Sequence, residues 1–132
     1  DLLLDYGSTR VVLHASSLMP ADGPRIALYG ERASFRHFGL DSQEDDLKAG
    51  LRPGSAAWGQ MRGARAELLS HDGEVTAIDT LRGRYQDYYA GIVHAVRTGA
   101  EPPVTPTQAL DVMRVLEAAM RSSAERRTVL LG

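Results

Sequence analysis

The chain alternates before it turns helical. In Arg10–Ser17, Val11, Leu13 and Ala15 fall on one side and Val12, His14 and Ser16 on the other, which is the period of a β-strand. Asp1–Tyr6 is a second strand-type run, joined to the first by Gly-Ser-Thr. The segment Met19–Pro24 then breaks the chain with two prolines and a glycine. Arg25–Gly30 and Ala33–Phe38 form a further pair that turns through Gly30–Arg32, with Ile26 and Leu28 on one face and Arg25 and Tyr29 on the other. Ala64–Ser70 and Glu74–Leu81 flank His71-Asp72-Gly73. An Asp-Gly pair between two alternating runs predicts a hairpin, because glycine accepts the positive φ that the turn needs.

From Tyr85 the period lengthens. Tyr85, Tyr88, Tyr89, Ile92, Val93 and Val96 recur at helical spacing. Gly99 ends that helix, and Pro102 and Pro103 keep it ended. Thr105 then stands as an N-cap, Pro106 at the first helical position and Gln108 at the third, the pattern of a capping box. Ala109, Val112, Met113, Leu116, Ala119 and Met120 make the stripe expected to be buried. Arg121, Arg126 and Arg127 lie near the end, where cations suit the helix dipole.

Strands followed by helices predict an α+β domain over residues 1–132: an open, mostly antiparallel sheet of about six strands with the C-terminal helices packed on one face. Two helices cover one face only, so the other meets water or a partner. A face carrying Arg25, Tyr29, Arg36 and Phe38 is mixed polar and aromatic, which fits a subunit interface.

Gly39–Gly59 interrupts this pattern. It is too long for a hairpin turn and too polar for a core element. Ser42 is placed to cap a short helix that Gly50 stops. The acidic run Glu44, Asp45 and Asp46 reads as a solvated helix face, since nothing else in the stretch completes a ligand set. Lys48, Arg52 and the sole tryptophan, Trp58, share the loop. Loops on a rigid sheet often carry binding groups. Trp58 reads either as an anchor on a neighbouring subunit or, with the two cations, as a grip on a sugar or an anionic group. Tyr85, Tyr88 and Tyr89 read as packing at the core and helix edge, with one hydroxyl free to reach a pocket.

Composition narrows the chemistry. The net charge is -2 over 132 residues, which leaves no basic excess for nucleic acid or an anionic membrane. There is no cysteine, so disulfides, zinc ribbons and thiol nucleophiles are excluded. No apolar run reaches the ~20 residues that span a bilayer, and the expected location is the cytoplasm. His14, His37, His71 and His94 are too far apart in sequence for a short-spacing metal pair and read as surface or satisfied core residues. No two glycines lie two apart, so there is no dinucleotide fingerprint. The chain opens inside a strand, without an initiator Met or a signal-peptide pattern, and reads as a piece of something longer.

Gly39–Gly59, together with the ending Tyr88–Ser123 and its "PPVTP" and "ALDVMRVLEAAMRSS" segments, resembles the C-terminal half of the glucose-fructose oxidoreductase / inositol dehydrogenase / MocA family. Arg25–Phe35 is similar to that family's strand-turn-strand, in which a glycine commonly sits where Ala33 stands. The likeness covers essentially the whole chain, through an ordered set of segments and no single signature. It implies a two-domain oxidoreductase that uses NAD or NADP, with an N-terminal Rossmann domain that carries the cofactor and a catalytic lysine in a Glu-Lys-Pro segment. The substrate is commonly a sugar, a polyol or a related hydroxy compound, and the open sheet commonly forms the dimer interface.

This chain holds no Rossmann fingerprint and no Glu-Lys-Pro. No catalytic, cofactor-binding or metal-binding residue is therefore transferred. Lys48, Arg52, Trp58 and Tyr85 stay as candidates for the substrate cleft or an interface. The resemblance implies that the chain alone is inactive and binds no NAD(P), its partners being the Rossmann domain, a second copy through the open sheet and a small-molecule substrate. The alternative is a stand-alone dimeric interaction module without catalytic activity.

Overall fold

The computed structural model describes residues 1–20, 23–63 and 65–131. Ala21 and Asp22, inside the expected break, and Ala64, at the start of an expected strand, lie outside them. The six expected strands are present, divided between two open antiparallel sheets.

The first sheet is a hairpin of β1 (Leu2–Asp5) and β2 (Arg10–Leu13). It turns through a bond from the Tyr6 N–H to the Thr9 carbonyl at 2.9 Å. Leu2 pairs with Leu13 and Leu4 with Val11, and Leu2, Leu4 and Val11 are half-buried. The β2 strand stops short of the expected Ser17. The Ser16 hydroxyl accepts the Leu18 N–H at 3.1 Å, the kind of local bond with which serine draws backbone out of a ladder.

The second sheet runs β3 (Ile26–Tyr29), β4 (Ala33–Phe38), β5 (Arg65–Ser70) and β6 (Val75–Ile78), each strand beside the next. The register places Ile26, Leu28, Phe35, His37, Ala66, Leu68 and Ile78 on one face, and Ala27, Tyr29, Ser34, Arg36, Phe38, Glu67 and Leu69 on the other. On the second face Arg36 pairs with Glu67 at 2.7 Å, and the Arg65 guanidinium lies 4.1 Å from the centre of the Phe38 ring. The β5–β6 hairpin closes at Gly73, whose φ is +89°, as the Asp-Gly signal predicts.

Three helices complete the fold: α1 (Gln43–Lys48), α2 (Tyr85–Thr98) and α3 (Pro106–Glu125). Gly99, at φ +73°, ends α2 with its N–H on the Ala95 carbonyl at 2.9 Å. The capping box of α3 forms as read. Thr105 Oγ1 accepts the Gln108 N–H at 3.2 Å, and Gln108 Oε1 accepts the Thr105 N–H at 2.9 Å.

Two compact units emerge. One holds Asp1–Met19 and the chain from Ile92 onward; the other is Pro20–Gly91. The stripe of α3 departs from expectation. Val112, Met113, Leu116 and Met120 are 49% to 74% exposed. Periodicity shows which helix face is apolar, but it does not supply a surface to cover that face.

Candidate functional site

The most enclosed place in Pro20–Gly91 is polar. Ser42, Gln43, Asp46, Trp58 and Gly59 are buried, and all come from the interrupting stretch. The acidic run is thus not one solvated face. Glu44 and Asp45 are exposed, whereas Asp46 is 2% exposed. Residues spaced by two along a helix point to different sides, and here one side turns inward.

Asp46 is held from three directions. Its Oδ2 accepts the Ser42 hydroxyl at 2.6 Å and the Gly59 N–H at 2.9 Å. Its Oδ1 faces the Arg62 guanidinium at 3.1 Å. The Ser42 hydroxyl, the Gly59 N–H and Arg62 together outweigh the opposing effect of burial, so the carboxyl titrates below its ordinary value. Ser42 does occupy the N-cap position of α1, but its hydroxyl serves Asp46 and makes no cap bond.

Asp41 and Gln43 form a second centre. The carboxylate of Asp41 accepts the Gln43 N–H at 2.9 Å and the Gln43 side-chain amide N–H at 3.0 Å. The Gln43 amide oxygen accepts the Tyr85 N–H at 2.6 Å. Close to it, the Gly83 N–H donates to the Gly59 carbonyl at 3.1 Å. A methyl group at Gly83 would run into Asp41 and Gln43, and one at Gly59 would run into the Gly83 carbonyl. Only glycine permits this approach.

Trp58 lies inside the chain. The residue is 3% exposed, and its indole N–H donates to the Gln86 side-chain oxygen at 3.1 Å. Tyr85 keeps its side chain at the surface, 50% exposed, on the turn that Gln43 and Gln86 hold. Tyr88 and Tyr89, read as packing residues, are 45% and 66% exposed and meet edge to face at 5.5 Å. Lys48 is tied to Glu44 at 2.9 Å, and both are exposed. That bond lowers the Glu44 pKa and raises that of Lys48, yet an exposed pair of this kind adds little stability. Arg52 is exposed and joins no ion pair among the described residues. Of the four candidates, the polar network gathers Trp58 and Tyr85 and leaves Lys48 and Arg52 outside.

Sequence reasoning missed Asp41, Gln43, Gln86 and the Gly59–Gly83 contact. The spacing Ser42–Asp46 was a usable signal, being one helical turn. Nothing local points to Gln86, which is 28 residues from Trp58.

The sequence model described as "Oxidoreductase family, C-terminal alpha/beta domain", that of Gfo/Idh/MocA, matches residues 2–131. The chain belongs to the Gfo/Idh/MocA oxidoreductase family. Its relatives include the scyllo-inositol 2-dehydrogenase (NADP(+)) IolW of Bacillus subtilis, 39% identical over 98% of this chain and 37% of that protein. The uncharacterized oxidoreductase YdgJ of Escherichia coli is 35% identical over 98% of this chain and 38% of its own length. Among solved structures, the Bacillus subtilis oxidoreductase YvaA superposes with a TM-score of 0.90 at 38% identity, covering 98% of this chain and 39% of that one. This chain spans a little over a third of the length of these Gfo/Idh/MocA relatives.

The family uses nicotinamide cofactors, but the residues here do not fit one. A dinucleotide cradle needs a parallel βαβ unit with a glycine-rich turn. Every strand pair among the described residues is antiparallel, and no Gly-x-Gly occurs. No helix among the described residues is long and apolar enough to cross a membrane.

Proposed function

We propose that this chain is the substrate-side and dimerisation part of an NAD(P)-dependent oxidoreductase acting on a polyol, sugar or related hydroxy compound. The observation that carries the reading is 39% identity, over 98% of the chain, to a dehydrogenase named for scyllo-inositol and NADP(+). Cofactor binding and hydride transfer belong to a Rossmann part outside residues 1–132, so the chain alone is inactive. Within the chain, Tyr85 offers a hydroxyl and a ring to the substrate from a held turn. Lys48 and Arg52 line the cleft or an interface, and Trp58 keeps the loop in place. The face with Tyr29, Arg36 and Phe38 meets a second copy. The protein works in the cytoplasm.

The test is turnover by the full-length protein. With scyllo-inositol and other polyols, and NADP+ or NAD+ offered in turn, reduced nicotinamide should accumulate, and residues 1–132 alone should yield none. Full-length protein that reduces neither cofactor with any polyol or sugar would overturn the reading.

A further inference from the structure

The polar cluster has a direction. Asp41 as a carboxylate only accepts hydrogen bonds, and the Tyr85 N–H only donates. The Gln43 amide between them therefore has one orientation that satisfies both, with its nitrogen on Asp41 at 3.0 Å and its oxygen on Tyr85 at 2.6 Å. Gln43 is 1% exposed, so neither partner can be replaced by water without opening the loop.

The Tyr85 N–H stands at the start of α2, where no intrahelical acceptor can reach it. Caps usually come from the residue just before the helix. Here the acceptor comes from 42 residues away. Donating to the Asp41 carboxylate pushes electron density from the amide nitrogen toward the amide oxygen and leaves that oxygen more negative, at a helix end that favours negative charge. Trp58 fixes the next residue through Gln86, and Gly83, immediately before this turn, is pinned to Gly59. Backbone bonds at Gly83 and Tyr85 and the side-chain bond of Gln86 thus hold the start of α2, while Tyr85 stays half exposed.

We propose that Gln43 is a positioning residue: polarised by Asp41, it caps α2 from a distance and fixes where Tyr85 presents its side chain. The positioning role rests on the reading above that Tyr85 meets the substrate. An unheld first turn samples several backbone conformations, and the ring samples them too. The cost then falls on substrate capture more than on the chemical step, which this chain does not contain.

The experiment uses the full-length enzyme with its best polyol substrate. Gln43→Leu removes the acceptor at similar volume. The double variant Asp41→Asn/Gln43→Glu reverses the relay, since the new carboxylate accepts from both the new amide and the Tyr85 N–H. Hydrogen exchange at the Tyr85 amide and the separate values of kcat and KM are measured for each. In Gln43→Leu, exchange at Tyr85 should quicken by about tenfold or more, as expected for losing a buried hydrogen bond. KM should rise severalfold with kcat little changed, and the double variant should recover both readouts. Should Gln43→Leu not fold, Asp41→Ala, which frees the amide to rotate, is read in the same way.

Unchanged exchange at Tyr85 would overturn the cap itself. Faster exchange with an unchanged KM would overturn the positioning role, and Tyr85→Ala then separates the two failures. A raised KM in Tyr85→Ala means that Tyr85 meets substrate without needing Gln43. An unchanged KM means that Tyr85 is no substrate contact, and the positioning role fails with that reading.

Discussion

At the scale of single residues, Asp46 shows how context reverses a local reading. In sequence it is the third of three acids in a short helix. In the fold it is the acceptor around which Ser42, Gly59 and Arg62 gather. Its pKa is depressed in the folded chain, chiefly by the Ser42 hydroxyl bond. A depressed folded value means that the unfolded chain binds the proton more readily. Its contribution to stability is therefore fully present above the ordinary carboxylate pKa of about 4 and is lost as pH falls through the lower folded value. Asp46→Asn should lower the urea midpoint at neutral pH and flatten the decline in stability below about pH 4. Urea melts of the two proteins across the acid range check this; parallel curves would show that Asp46 does not titrate as argued.

At the scale of elements, the stretch from Gly39 to Gly63 is a folded insert rather than a slack loop. Its helix α1 has only six residues, too short to hold by itself in water. It persists because Asp46 and Gln43 bond to chain that returns much later. Gly59 meets Gly83 where neither residue has room for a methyl group. Gly83→Ala should cost about 1–3 kcal/mol, the usual range for overpacking. The fluorescence of Trp58, the sole tryptophan, should shift toward that of a solvated indole. Thermal melts and emission spectra of the variant measure both. A melting temperature like that of the parent would mean that Asp41 and Gln43 move aside without loss. The capping box of α3 is the opposite case, since Thr105, Pro106 and Gln108 are adjacent and form what they spell.

At the scale of the whole molecule, the outstanding property is uncovered apolar surface. Leu28 and Tyr29 in the sheet are 61% and 77% exposed, and Met113 and Met120 on α3 are 55% and 74% exposed. Large apolar side chains left in water on a sheet face or a helix stripe are candidates for cover by a partner. The dimer reading uses the face of Tyr29, Arg36 and Phe38. A like charge meeting itself across a twofold axis is repulsive, so Tyr29→Glu should turn a full-length dimer into monomer. Sedimentation velocity decides this: a parent protein that is already monomeric, or a variant that stays dimeric, removes that face from consideration.

What the sequence by itself determined is local. Alternation and strand-type runs placed the six strands, Asp-Gly the β5–β6 hairpin, Gly99 the end of α2 and Thr105–Gln108 the start of α3. Each of these rests on bonds or steric limits within a few residues, and such limits are written in adjacent letters. Tertiary structure alone decided the rest. It separated the six strands into two sheets, turned Asp46 inward, buried Trp58, left the α3 stripe bare and brought Gln43 to Tyr85. Those outcomes depend on which distant group fills a given volume and satisfies a given donor. Period and propensity carry no such information, because an amide or an indole is spelled the same whether its partner is a neighbour, water or a residue 42 positions away.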